Sequence, residues 1–318
     1  FAAYSFCKAH ALAYALMAFQ AVYLKQHHAV EFGCALLRSY GGAYPMRTVA
    51  ADLMRHGVKV LGPSVNRSGA ETDLEDCAGG GRAIRVGLER IKHLTRRSSS
   101  AILARRAQSG PFATLEELLG QVPLGRRERA ALLRSGACDE LAPLSADICP
   151  DAHEALLRGE RPTTLDASAV LSPARRRASV LRRLQNELEY LGMHLSAHPM
   201  AVLRSDAERE GCLTSAEIDE APDGSRARFT GIVAASRRHT SDTDTERRTL
   251  FLTLEDEHGL VDVVIAPPRY AELAPGVTTP GPYLVAGVIC RDYGRTTVAI
   301  DTLWPFHERA RHRTAGRA

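Results

Sequence analysis

The chain has 318 residues, 45% hydrophobic and 25% charged, the balance of an ordinary globular protein with room for two or three cores, so disulfides and structural metals are not needed to hold it together. No apolar run is long enough to cross a bilayer and no secretory leader opens the chain, which excludes a helical membrane span and leads to the expectation of a cytoplasmic protein. Seven scattered cysteines, never spaced Cys-x-x-Cys, argue against a disulfide framework and a zinc site alike, while a net charge of +4 admits nucleic acid as a partner without requiring it.

The sequence opens at Phe1 inside what already reads as a structured segment, so a break in a longer polypeptide is expected. Over residues 9–25, Leu12, Leu16, Phe19 and Tyr23 recur at three- and four-residue steps and predict a helix; Phe32, Leu36 and Tyr40 continue the pattern after a break near His27-His28. Gly41-Gly42 and Pro45 punctuate before a short helix through Leu53, and residues 58–61 read as a short strand stopped by Gly62-Pro63. Residues 66–82, rich in Gly, Ser and acidic side chains without a period, read as an exposed connection. A string of short helices follows over residues 84–141. Ser98 to Ser100 offer the cap of one that ends at Gly110-Pro111, Thr114-Leu115-Glu116-Glu117 is a capping box for the next, and a third runs over residues 126–135 to Gly136. Short helices joined by tight turns suggest a compact all-α module.

Residues 142–172 have little periodicity and several prolines, which marks a linker. Ser172-Pro173 then opens a helix whose apolar stripe is Leu181, Leu184, Leu188, Leu191 and Leu195. Arg175, Arg176, Arg182 and Arg183 load its first turns, where positive charge opposes the helix dipole, so they face either an anion or solvent rather than serving helix stability. From Arg226 the period changes to two, with strands expected at residues 229–233, 249–254, 261–265, 283–289 and 296–300 and a proline-bounded helical turn at residues 267–273. Five strands with a helix after the third is the order of an OB-fold barrel, which offers a groove to single-stranded nucleic acid but also occurs where only protein is bound. The fold class is therefore multidomain, α then β.

Arginines cluster in doublets and triplets: Arg96-Arg97, Arg105-Arg106, Arg126-Arg127 with Arg129, Arg175 to Arg177, Arg182-Arg183, Arg237-Arg238 and Arg247-Arg248. Each is explained by a solvated face or by phosphate, and the excess of arginine over lysine suits phosphate, because the planar fork matches it. His194 and His198 lie four apart with no third ligand, and no paired acidic motif for two metal ions is visible.

The opening run Tyr4-Ser5-Phe6-Cys7-Lys8-Ala9-His10-Ala11, with Ala13-Tyr14-Ala15 and Tyr23-Leu24-Lys25-Gln26-His27-His28, resembles the end of the fingers domain in the C-family alpha (catalytic) subunit of bacterial DNA polymerase III. Val65-Asn66-Arg67-Ser68, Arg85-Val86-Gly87-Leu88, Gly110-Pro111-Phe112, Ser135-Gly136-Ala137-Cys138-Asp139, Leu191-Gly192 and His198-Pro199 follow in the family's order, so the resemblance covers essentially the whole chain. It implies the end of the fingers at residues 1–65, a tandem helix-hairpin-helix DNA-binding module at 66–141, a linker and connecting helix at 142–225, the OB-fold barrel at 226–305 and a basic tail at 306–318. The family's catalytic carboxylates, and the Mg2+ they hold, lie in a palm domain upstream, so no cofactor and no catalytic residue is expected in this chain, and it is expected to be inactive alone.

The resemblance places Lys8 and His10 near the incoming nucleotide or templating base; His10 capping or packing the helix start is the structural alternative. A helix-hairpin-helix grips DNA through backbone N–H groups exposed by hairpin glycines, and here Ile91-Lys92-His93-Leu94-Thr95 replaces both glycines, by His93 and Thr95. Lys92, His93, Arg96 and Arg97 either compensate through side chains or mark a structural remnant. On the barrel, Arg237, Arg238, Arg247 and Arg248 flank the first hairpin loop; Phe251 and Tyr293 are stacking candidates, with Phe251 expected in the core. The expected partners are primer-template duplex and single-stranded DNA, with other replisome subunits open. The clamp-docking pentapeptide and the long clamp-loader-binding extension are missing, a truncation shared with short and error-prone alpha paralogs. Lys8 and Cys7 fit the replicative pattern better. The alternatives are a non-catalytic nucleic-acid or protein interaction module, or the tail of an error-prone paralog used in damage tolerance.

Overall fold

Helix-period signals fill the first two-thirds of the chain and period-two alternation the last third, and the computed structural model follows that division. It describes residues 7–39, 42, 44–141, 173–241, 244–292 and 294–306, with the side chains at 240–247 outside the description. The chain separates into two compact units that interleave in sequence: Phe1–Gly41, His56–Thr164 and Glu189–Leu191 form one, and Gly42–Arg55, Leu165–Leu188 and Gly192–Ala318 the other.

The first unit begins with α1 (Lys8–His27) and α2 (Ala29–Arg38), broken at His28 as the sequence implies. The repeat that predicts α1 does not bury it: Leu12, Leu16, Phe19 and Tyr23 are each more than half exposed. In α2 the buried positions are Gly33, Cys34 and Leu37. α3 (Met46–Arg55) belongs to the second unit. The stretch expected as an exposed connection instead builds a three-stranded sheet in the order β1 (Val60–Leu61), β3 (Arg82–Arg85), β2 (Asp73–Asp76). Some of its polar residues are internal partners, although Asp73 and Asp76 at the ends of β2 stay exposed. Ser68 Oγ donates to the Val86 carbonyl at 2.7 Å, and the Arg85 guanidinium spans both oxygens of Glu75 at 2.6 and 2.8 Å. Gly87 is fixed by close approach, since a β-carbon there would lie 2.2 Å from the Glu71 backbone.

A short 3-10 turn (Leu88–Arg90), α4 (Arg96–Ser109), α5 (Leu115–Gln121) and α6 (Arg126–Arg134) complete the unit over buried Leu88, Ile91, Ile102, Leu118 and Leu132. α4 is capped not by the serines but by Thr95, whose Oγ1 accepts the Ser98 N–H at 3.2 Å. Thr114 caps α5 by accepting the Glu117 N–H at 3.1 Å, whereas the Glu117 carboxylate reaches past the cap to the Ala113 N–H at 2.7 Å.

The second unit has α7 (Pro173–Leu191) up to Leu188, its last turn belonging to the first unit, then α8 (Pro199–Arg209) and α9 (Ser215–Glu220) before a closed barrel. Its strands are β4 (Arg226–Ser241), β5 (Asp244–Glu255), β6 (Leu260–Ile265), β7 (Tyr283–Asp292) and β8 (Arg295–Pro305), ordered β4-β5-β6-β8-β7, with α10 (Pro267–Leu273) after β6. Every neighbouring pair is antiparallel except β6 and β8, so the barrel is the expected OB-fold. Phe229, Leu250, Leu252, Leu254, Val263, Ile265, Val285 and Ile289 fill its interior. α3 is tied to it by a buried carboxylate: Glu255 accepts Thr48 Oγ1 at 2.8 Å and Arg55 Nη1 at 3.0 Å. The expected stripe of α7 stops short, because Leu195 lies beyond the helix end. The anion that Arg183 meets is internal: its Nε donates to Glu187 Oε1 at 3.3 Å and to Ser196 Oγ at 2.7 Å.

Candidate nucleic-acid interface

In the first unit the hairpin before α4 keeps the shape that its lost glycines would give. The Leu94 N–H donates to the Ile91 carbonyl at 3.1 Å, and His93, the third residue of that turn, has φ +73°, alone among the described non-glycine residues in being positive. Turns of this kind reserve the third position for Gly or Asn, so a histidine there holds its conformation against an intrinsic cost of about 1–2 kcal/mol. Tyr190 braces it: its carbonyl accepts the Lys92 N–H at 2.8 Å, its ring lies 6.2 Å edge-on from His93, and its hydroxyl accepts Arg134 Nη1 at 3.1 Å.

Two helix starts in this unit share one sequence pattern, Leu94-Thr95-Arg96-Arg97 at α4 and Leu124-Gly125-Arg126-Arg127 at α6. Thr95 and Gly125 are the caps, and both are held by one carboxylate. Glu128 Oε1 accepts the Thr95 N–H at 3.2 Å, Thr95 Oγ1 at 2.8 Å and Ser98 Oγ at 2.6 Å, while Oε2 accepts the Gly125 N–H at 2.9 Å. Burial raises the Glu128 pKa, but the hydrogen bonds from Ser98, Gly125 and Thr95 outweigh it and hold the carboxyl at about 2.

The doublets sort by geometry. Arg105 and Arg106 are internal: Arg105 lies 4.2 Å over the Phe112 ring and donates to the Gly110 carbonyl, and Arg106 donates to the Val65 carbonyl at 3.0 Å. Arg129 donates to the Leu124 carbonyl at 3.1 Å, and Arg96 pairs loosely with Glu89 at 3.4 Å. Arg97, Arg126 and Arg127 are exposed and make no ion pair among the described residues, and Lys92 and His93 are exposed beside the first hairpin. The first backbone N–H groups of a helix have no intrahelical acceptor and the dipole there favours an anion, so four arginines at these two starts suit phosphate and not helix stability. Sequence reasoning noted Arg126-Arg127 as one doublet among several without singling it out for DNA; the repeated Leu-x-Arg-Arg pattern was the signal that would have done so.

Lys8 and His10 lie exposed on the first turn of α1, where the His10 ring packs against Tyr14, centroids 4.4 Å apart and planes tilted by 59°, and caps nothing. In the second unit Arg237 faces Phe251 across β4 and β5, and Phe251 is 44% exposed rather than in the core. The reason is alternation: Leu250, Leu252 and Leu254 point inward, which turns Phe251 outward. Arg238 pairs in register with Leu250 and so leaves the strand on the other face from Arg237; exposed Arg248 alternates with Leu250 on that same face. The side chain of Arg247 and all of Tyr293 lie outside the described residues. His198 Nδ1 caps α8 by accepting the Met200 N–H at 3.2 Å, and burial lowers its pKa to about 4. Among the described residues no cluster of three or more His, Cys, Asp or Glu is arranged to hold a metal ion, and no helix is long and apolar enough to cross a membrane.

Residues 57–146 match a helix-hairpin-helix motif family. Over 96% of its length the chain is similar to proteins named error-prone DNA polymerase, at 32% identity for that of Anaeromyxobacter sp. (strain K) and, over 95%, at 31% for that of Mycolicibacterium paratuberculosis (strain ATCC BAA-968 / K-10). It spans 27% of the length of each of these curated relatives. Among solved structures, the hypothetical protein ygiW from E. coli matches 29% of this chain and 87% of its own at 18% identity, with a TM-score of 0.22 that carries no argument.

Proposed function

We propose that this chain is the DNA-holding part of a C-family DNA polymerase of the error-prone kind, a C-terminal segment that grips primer-template DNA while polymerisation is carried out by residues outside it. The observation that carries this reading is the pair of arginine-loaded helix starts at α4 and α6, joined through Glu128 within a unit that matches the helix-hairpin-helix family. Phosphates of the duplex lie against the N–H groups of these starts and against Lys92, Arg96, Arg97, Arg126 and Arg127, contacts that fix register without reading sequence. On the barrel, Phe251 offers a stacking surface and Arg237 a backbone contact for single-stranded template. Lys8 and His10 serve the nucleotide end of the fingers. The Mg2+ and palm carboxylates of the parent enzyme belong upstream. The name shared by the relatives favours error-prone synthesis over the replicative role that Cys7 and Lys8 suggested.

The test is duplex binding by fluorescence anisotropy across a salt series. The 318-residue chain should lose affinity steeply with salt, and the Arg97→Glu/Arg127→Glu double variant should bind more than tenfold more weakly with a shallower salt slope. Unchanged affinity and slope would remove the assignment and leave a protein-interaction module.

A further inference from the structure

The outward side chains of β4, β5 and β6 share one face of the barrel. Register puts Arg237, Phe251 and Val264 on one rung across the three strands, and Thr253 and Asp262 on the next. Leu252, Leu254, Val261 and Val263 alternate with them and are buried in the core, so both rungs point outward. On the rung after that, Thr48 and Arg55 of α3 hold Glu255, which closes that end of the face.

The face is divided in its charge. Arg237 stands exposed on β4 and makes no ion pair among the described residues. Asp262 stands on β6, with the Phe251 strand between them. Strands spaced by about 4.8 Å put about 10 Å between the two backbones, close to the span from a nucleotide's phosphate to the far edge of its base. Thr253 Oγ1 donates to Asp262 Oδ1 at 2.8 Å and fixes the carboxylate in place. Asp262 is only partly buried, and its Oδ2 has no partner among the described residues and keeps contact with solvent.

A carboxylate accepts hydrogen bonds and donates none, so it favours an N–H edge and repels carbonyl and phosphate oxygens. A strand laid on this face therefore runs its phosphates along the Arg237 side and turns its base edges toward Asp262. Guanine offers two adjacent donors, its ring N–H and its amino group, to one carboxylate. Adenine and cytosine offer an amino group beside a ring acceptor, and thymine a single N–H between two carbonyls.

We propose that Asp262 makes the barrel selective among bases: a base stacked on Phe251 is read at its edge by the Asp262 carboxylate, which favours guanine over thymine. This rests on the reading of Phe251 and Arg237 as a single-strand platform, and adds a selectivity that stacking alone does not supply, because every base has a π-face.

Fluorescence anisotropy of the full chain with labelled single strands of equal length tests it. An alternating guanine-thymine strand should bind about fivefold more tightly than an all-thymine strand, the low end of what one bidentate base contact supplies. Replacing guanine by hypoxanthine, which lacks the amino group, should remove most of that preference. Asp262→Asn, near-isosteric and still able to accept from Thr253, should erase it with the circular dichroism spectrum unchanged. The Arg97→Glu/Arg127→Glu variant should keep the preference, which separates it from the paired helix starts. Equal affinity for the two strands, with Phe251→Ala still weakening both, would overturn this inference and leave the platform standing. A guanine preference that Asp262→Asn leaves intact would overturn it as well. No loss of either affinity with Phe251→Ala would overturn the platform and this inference together.

Discussion

Glu128 joins two helix starts through one side chain, so its replacement by glutamine should loosen both. The amide keeps the shape but turns one acceptor oxygen into a donor, which opposes either the Gly125 N–H or the three donors at Thr95 and Ser98. The carboxyl is held at about 2 against an ordinary 4.5, and at about 1.36 kcal/mol per pKa unit that difference corresponds to roughly 3.4 kcal/mol if fully sheltered. The group is partly open to water, and screening reduces this to about 1.5 kcal/mol. A folded pKa below the unfolded one stabilises above pH 4.5 and loses its effect as pH falls through about 2. Amide hydrogen exchange over residues 95–99 and 125–129 at pH 7 reads the effect locally: Glu128→Gln should lower protection about tenfold. Lowering the pH from 6 to 3 should erode protection in the unaltered chain and leave the variant nearly flat. Equal protection in the two proteins at pH 7 would refute the bridging role.

His93→Gly removes the β-carbon from a positive-φ turn, and duplex affinity should rise by roughly threefold, about 0.6 kcal/mol, as the hairpin N–H groups become approachable; weaker binding by anisotropy would assign the phosphate contact to the imidazole. Phe251→Ala should weaken single-strand binding by about 1–3 kcal/mol in filter or anisotropy assays, while the midpoint of thermal unfolding falls far less than for a core phenylalanine because 44% of the residue is exposed; a large loss of stability would return Phe251 to the core. Glu255→Ala leaves Arg55 and Thr48 without their buried partner and should cost about 3–5 kcal/mol in urea unfolding followed by Trp304 emission, a probe in the same unit; a cost under about 1 kcal/mol would mean water replaces the carboxylate.

The barrel was legible because long runs of its strands alternate, and the same alternation in β5 already contained the position of Phe251. With Leu250, Leu252 and Leu254 inward, the ring between them has to face out; judging it by the apolar character of its strand overrode the register. The small sheet of the first unit was illegible for a different reason. The carboxylates of β2 read as solvated, and only a strand distant in sequence, bringing Arg85, turns Glu75 into an internal partner. The four exposed residues that announce α1 show the converse: a helical period guarantees a stripe, and says nothing about what covers it. The Thr95 cap was displaced by the more conspicuous serines that follow it, although a cap whose side chain serves the N–H three residues on belongs just before the helix.

Charge clusters carry the least information until the backbone is known. Arg105-Arg106 and Arg126-Arg127 are indistinguishable in sequence, yet the first doublet closes turns within its unit and the second stands at the start of a helix with no anion of its own. The decisive difference is position relative to the dipole. Arginine at a helix start is unfavourable by a few tenths of a kcal/mol to about 1 kcal/mol unless a negative charge accompanies it. Glu128 supplies one such charge to both caps, and four arginines outnumber it. An external anion would relieve the remaining imbalance, and two helix starts joined through one side chain place that demand at two points of one unit. A phosphodiester backbone meets it with successive phosphates, whereas a solvated arginine face would gain nothing from having its charges at helix starts.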